Sequence, residues 1–395
     1  MKTQYVQNFF AIALALLFTC SVFSEEQNSK KLPETKQLMN QMLVELSSLK
    51  IYFVSQEKFM DSKNSDTISA HLKEFAKLAQ QAHHNPELST ENYKFSGEVL
   101  DAHVAEVGRL FKSGNKAFAR WQLASTISVC MSCHSQMPTN NRTFIDFQNY
   151  KMFSSPFDQA EFLFATRAFD QASFIYDLVI DGYPKNKMSL DQVEGSLDRQ
   201  LAYFSRIKRN PTEAIAKLKM HQKNKKLPGF LQANLKGWIS QFENWEKQTT
   251  PDPKSASDQV ILDFAKKTIE VKWTSKAMQA DNPDLVPYLR VSGILYEYLH
   301  LHPKSAATPD ILYWLAISDR SISDNFFYSL ADLYLKECVV KFPTAPIALS
   351  CYKEYEMETI AGYTGSAGTF LPPEVRTELN QIKSILDSKI KMNMH

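Results

Sequence analysis

A chain of 395 residues, 44% hydrophobic and 12% aromatic with only 11 glycines, holds enough apolar material for a well-packed helical protein, and its length predicts two or three domains. Its 45 basic and 43 acidic residues leave a formal charge of +2, and nothing in that balance argues for nucleic acid as a partner.

At the N-terminus, Met1-Lys2 precedes an apolar run from Phe9 to Phe18, the pattern of a signal peptide over residues 1–24, with Val22-Phe23-Ser24 as the cleavage sequence. The run falls short of the roughly 20 apolar residues that a membrane-spanning helix needs. Leu17-Phe18-Thr19-Cys20 loosely resembles a lipoprotein box, so a lipid anchor on Cys20 is the one route by which membrane association is expected.

From Leu32 to Pro138 apolar residues recur at helical spacing in four blocks. The first starts near Pro33 and carries Leu38, Met42, Leu46, Leu49 and Phe53, broken by Asp61-Ser62-Lys63-Asn64-Ser65. The second carries Ile68, Leu72, Phe75, Leu78 and Ala82 and stops before Asn85-Pro86. The third carries Leu100, Val104, Val107 and Phe111 and ends at Ser113-Gly114, where glycine suits the left-handed helix stop. The fourth runs from Asn115 through Phe118, Trp121, Ile127 and Cys130 to Pro138. Short connections predict an up-down-up-down bundle.

Late in the fourth helix stands Cys130-Met131-Ser132-Cys133-His134. C-x-x-C-H is the attachment motif of a c-type haem: two thiols three positions apart bond the two vinyl groups, and the adjoining imidazole becomes the proximal iron ligand. A surface disulfide or a thioredoxin-like redox pair is the bland alternative. With that motif at the end of a four-helix bundle, residues 32–138 resemble the cytochrome c prime family, over about a quarter of the chain. Ordinary single-domain cytochromes c place the motif near the start of the domain instead. The resemblance implies that residues near the start of helix 1 lie level with His134. Met39 is therefore the candidate sixth ligand and Met42 the fallback, an open sixth position is the alternative, and His71 and His103 are weaker candidates. The Arg or aromatic residue that the family carries after the motif is replaced here by Gln136-Met137-Pro138. Arg142 and Arg120 are left as candidates for the haem propionates.

After a polar connection from Thr139 to Pro156 the pattern changes to helix pairs. Phe162-Leu163-Phe164-Ala165 with Ala168-Phe169-Asp170-Gln171-Ala172, then Tyr176 and Tyr183-Pro184, resembles a tetratricopeptide repeat, and Leu201 to Ile215 suggests another pair. A helix from Phe230 to Trp245 and a linker from Thr249 to Ser255 close residues 156–250. In residues 256–395, Leu295-Tyr296 with His302-Pro303 is echoed by Leu333-Tyr334-Leu335 with Phe342-Pro343, Pro303 and Pro343 standing 40 positions apart, more than the roughly 34 of the standard repeat. The aromatics Tyr313, Trp314, Phe326, Phe327 and Tyr328 read mostly as core between repeats. Lys223-Asn224-Lys225-Lys226 reads as a solvated loop. The Gly362 to Pro373 stretch lacks the Lys and the strand of a nucleotide loop and reads as a docking loop. Cys338 and Cys351 flank Phe342-Pro343-Thr344-Ala345-Pro346 at similar distances, so they either pair across two antiparallel helices or stay buried thiols.

The expectation is thus an all-α protein with a haem bundle over residues 25–150 and a repeat solenoid after it. Functionally it reads as an exported, periplasmic electron carrier with one covalent haem c, docking a redox partner protein, or a peptide, on the repeats. The polar connection suggests separable halves. A haem-based binder of nitric oxide and an assembly scaffold with structural haem are the other readings; no nucleophile-base-acid set surrounds His134, so a haem enzyme ranks last.

Overall fold

In the computed structural model of the chain the described residues are 35–137, 153, 155–185, 187–270, 284–322 and 327–393. The signal-peptide reading, Cys20, Arg142, Phe326 and most of the Thr139 to Pro156 connection lie outside them.

The protein is all-α, its described strands being two residues each. Helix α1 (Thr35–Phe53) stops earlier than the Asp61 break, because Ser55 caps a separate short helix α2 (Gln56–Met60). Helices α3 (Ser65–His83), α4 (Lys94–Lys112) and α5 (Lys116–His134) follow, each 19 residues long. Gly114 sits at φ 86°, in the left-handed region expected of it, and turns the chain from α4 into α5. Helix α1 packs on α3, α3 on α4 and α4 on α5, while α1 and α2 also touch α5.

The α5 stripe differs from the expectation. Ala119, Leu123, Thr126 and Val129 are buried, whereas Phe118 and Trp121 stack on each other in solvent, Trp121 being 61% exposed. The face of α5 that packs on its neighbours thus carries Ala119, Leu123, Thr126 and Val129, and Phe118 and Trp121 fall outside it.

The second stretch is a run of helical hairpins. Helices α6 (Pro156–Ala165) and α7 (Phe169–Gly182) pair, and α7 packs on α8 (Leu190–Ala202), which runs on into a π turn at Tyr203–Ile207. Helices α9 (Pro211–Gln222) and α10 (Gly229–Glu246) pair next. The Lys223 to Lys226 loop joins them with its lysines exposed. Then come α11 (Asp258–Ala265), α12 (Leu285–Leu301), α13 (Thr308–Ile322), α14 (Ala331–Lys341), α15 (Ala348–Gly362) and α16 (Pro373–Asn393). Their starts follow local chemistry: Ser155 and Asn210 cap helices that open on proline, and Ser189 with Gln192 forms a capping box.

The 40-residue echo is visible in hydrogen bonds. The turn after α12 is closed by His302 N to Tyr298 O, Ser305 N to His302 O and Thr308 N to Ser305 O. The turn after α14 repeats it with Phe342 N to Cys338 O, Ala345 N to Phe342 O and Ala348 N to Ala345 O. Cys338 and Cys351, both fully buried, are joined as a disulfide between α14 and α15. Trp314 and Phe327 are core, but Tyr328 is 45% exposed. The Gly362 to Phe370 segment forms a small hairpin pairing Thr364–Gly365 with Gly368–Thr369, and it stands in solvent instead of docking on α1–α5.

The polar connection does not make two independent bodies, since Thr35–His395 form one compact unit. One apolar core fills α1–α5 and takes in Phe162 of α6; the other fills the hairpins and takes in Phe95 of α4 and Met131 of α5. No described helix is long and apolar enough to cross a membrane.

Candidate cofactor site

Cys130, Cys133 and His134 occupy the last turn of α5, and spacings of three and four residues bring them to one helical face. That face opens on a cavity of about 900 Å³. Met39, Met42, Leu43 and Leu46 of α1 line it, with Phe75 of α3, Tyr93, Ser96 and Leu100 on or beside α4, and Ala165, Thr166 and Arg167 from the turn between α6 and α7. Its volume is that of a pocket enclosing a sizeable organic ligand, and its walls are mostly apolar.

The structure therefore brings five sequence candidates together: Cys130, Cys133, His134, Met39 and Met42. Met42 is buried and Met39 half-buried. Three others are placed elsewhere. His71 Nδ1 meets Glu45 at 2.7 Å, and His103 Nε2 donates to the Gln122 carbonyl at 2.9 Å; neither lines the cavity. Arg120 is a correction: it lies near the start of α5, almost four turns from His134, where its guanidinium donates to the Phe53 carbonyl at 2.6 Å.

His134 is oriented by the helix that packs on it. Ala165 is the last residue of α6, so its carbonyl has no partner within the helix, and His134 Nδ1–H donates to it at 2.5 Å. The other nitrogen, Nε2, keeps its lone pair. Burial, with Arg167 nearby, pushes the imidazole pKa down to about 4 against the carbonyl's opposite pull, so the ring is neutral.

The two cysteines are not bonded to each other. Burial pushes Cys130 up to about 12, with Cys133 adding to it, and pushes Cys133 up to about 11, against Arg167 and the Ser96 hydroxyl, which pull the other way. Among the described residues no three His, Cys, Asp or Glu side chains are grouped to hold a bare metal ion.

Gln136 is fully buried and donates to Ser96 at 3.0 Å, which ties the end of α5 to α4 and explains the polar residue that follows the motif. Ser132 donates to the Tyr328 carbonyl at 2.7 Å, tying the same turn to the hairpin region.

Arg167 is the residue that sequence reasoning missed. It follows α6 with φ 66°, while Arg167 N–H bonds the Phe164 carbonyl at 3.1 Å and Ala168 N–H the Leu163 carbonyl at 2.8 Å. These are the two bonds of a Schellman helix stop, with arginine where glycine is usual, a choice that costs about 1–2 kcal/mol. The sequence signal was a lone cation between two apolar helices, Phe162 to Ala165 and Phe169 to Ala172.

No family model, no curated protein and no solved structure matches this chain.

Proposed function

We propose that the protein is an exported c-type cytochrome that carries single electrons on one haem attached through Cys130 and Cys133. The observation that carries this reading is one cavity lined at once by Cys130, Cys133, His134, Met39 and Met42, with His134 Nδ1 engaged by the Ala165 carbonyl. These residues fit the group. Two thiols at that spacing suit two thioether bonds, and a neutral imidazole whose Nδ1–H is already engaged suits a proximal ligand. Haem, when bound, supplies a one-electron iron couple. The chain's own contributions are to fix the His134 ring through Ala165, to offer Met39, with Met42 behind it, on the α1 side, and to keep water out with Leu43, Leu46, Phe75 and Leu100.

The finer fold belongs to the same reading. Helices α1 and α3–α5 are the four-helix bundle that resembles the cytochrome c prime family, and the hairpins from α6 onward are a degenerate tetratricopeptide-like solenoid, which the repeated turns after α12 and α14 support. A redox partner protein, or a peptide of it, docks on those hairpins. The Cys338–Cys351 disulfide suits an oxidising compartment such as the periplasm.

The test is a haem stain of the denatured full chain, made in cells with a haem-attachment system, beside a Cys130→Ala/Cys133→Ala variant. A coloured wild-type band and a colourless variant are expected. A colourless wild type rejects the proposal, and a high-spin wild-type spectrum moves it from electron transfer to the binding of a small gas.

A further inference from the structure

Two non-glycine residues among those described have left-handed backbones, Arg167 at φ 66° and Arg209 at φ 52°, and the pair makes an internal comparison. Arg209 follows the π turn after α8, where its guanidinium pairs with the Glu297 carboxylate and donates to the Gly293 carbonyl at 2.7 Å. Its charge is matched. Arg167 is half-buried on the cavity wall, with Tyr93, Cys133 and His134 as its electrostatic neighbours and no carboxylate among the described residues paired with it. Its Nε is buried without a hydrogen-bond partner.

A guanidinium with a buried, unpartnered Nε and no carboxylate beside it among the described residues is costly, and a left-handed arginine persists only where its surroundings over-determine it. Both features are accounted for by an anionic group inside the cavity. We propose that Arg167 is the docking residue for a carboxylate of the cavity's ligand, which on the cytochrome reading, on which this rests, is a haem propionate. A planar guanidinium fork matches a carboxylate in shape and charge. The turn between α6 and α7 is then a wall of the cofactor site, and the hairpin region helps to hold the cofactor besides receiving a partner.

Arg167→Gln and Arg167→Gly are to be made in the full haem-loaded chain and in the Cys130→Ala/Cys133→Ala chain. Both should lower the thermal midpoint of the haem-loaded protein, where a carboxylate loses its partner, and raise that of the haem-free protein, where an unmatched charge disappears. A rise in both forms overturns the proposal. The pH dependence of the reduction potential gives a second readout that needs no haem-free protein. A carboxylate held by Arg167 ionises at low pH, so in Arg167→Gln the pH above which the potential falls should move up by about one to three units. An unmoved profile also overturns the proposal. A wild type without covalent haem in the stain removes the cytochrome reading itself, so the two failures are distinct.

Discussion

The Ala165 carbonyl engages Nδ1 of His134 and so leaves Nε2 as the nitrogen with a lone pair, and it does so across 31 residues of sequence. On the opposite side the choice lies between two methionines one helical turn apart on α1, both lining the cavity. Thioether side chains are flexible enough to fill space or to bind iron, so burial alone does not separate the roles. Met39→Ala should convert a low-spin spectrum to a high-spin one, open the iron to carbon monoxide and lower the potential, while Met42→Ala keeps the low-spin bands. The reverse pattern would make Met42 the ligand, and unchanged spectra in both would exclude methionine. The C-x-x-C-H donors and both methionines were legible because spacing and antiparallel order are local or pairwise properties. Arg167 was not, because its role arises from a left-handed turn folded against a helix more than thirty residues earlier, and no periodicity marks it.

At the scale of the element, α1 shows how a helix can carry the right stripe and still bury a misfit. Leu38, Met42, Leu46 and Leu49 face the core as the spacing predicts, yet Lys50 is also only 4% exposed, its ammonium lying over the Phe153 and Phe162 rings with no hydrogen-bond partner. Burial lowers its pKa from near 10.5 to about 8, opposed by Asp158. The folded protein therefore holds this proton less tightly than the unfolded chain does. The resulting penalty is fully present below pH 8 and is relieved as the pH rises toward 10.5. Lys50→Met should stabilise the protein at pH 7 by about 1–2 kcal/mol and remove this pH-dependent gain, measured by denaturant unfolding at pH 7 and pH 9.5. A less stable variant at both pH values would contradict this account. The α5 helix failed the sequence reading in the opposite way: Phe118 and Trp121 look like core by type, and only the close α4–α5 packing shows that they stand outside.

Across the whole molecule, the candidate cofactor site and the hairpin region are one construction problem. The polar connection suggested two bodies because composition reports where a chain is solvated and says nothing of what folds back onto it. In the structure Phe162 enters the α1–α5 core, Met131, within the C-x-x-C-H motif, enters the hairpin core, and Ser132 bonds the Tyr328 carbonyl. The acceptor of His134 Nδ1 and the only arginine lining the cavity among the described residues also come from beyond residue 150. Cutting the chain there would expose Met131, open the cavity to water and free the His134 ring to rotate. On the proposed cytochrome reading, a chain of residues 25–150 should therefore keep covalent haem, since attachment needs only the motif, but show a spectrum shifted from that of the full protein, a lower potential in the wetter pocket and a lower thermal midpoint. An isolated fragment with the full-length spectrum, potential and melting behaviour would show that the hairpins serve partner docking alone.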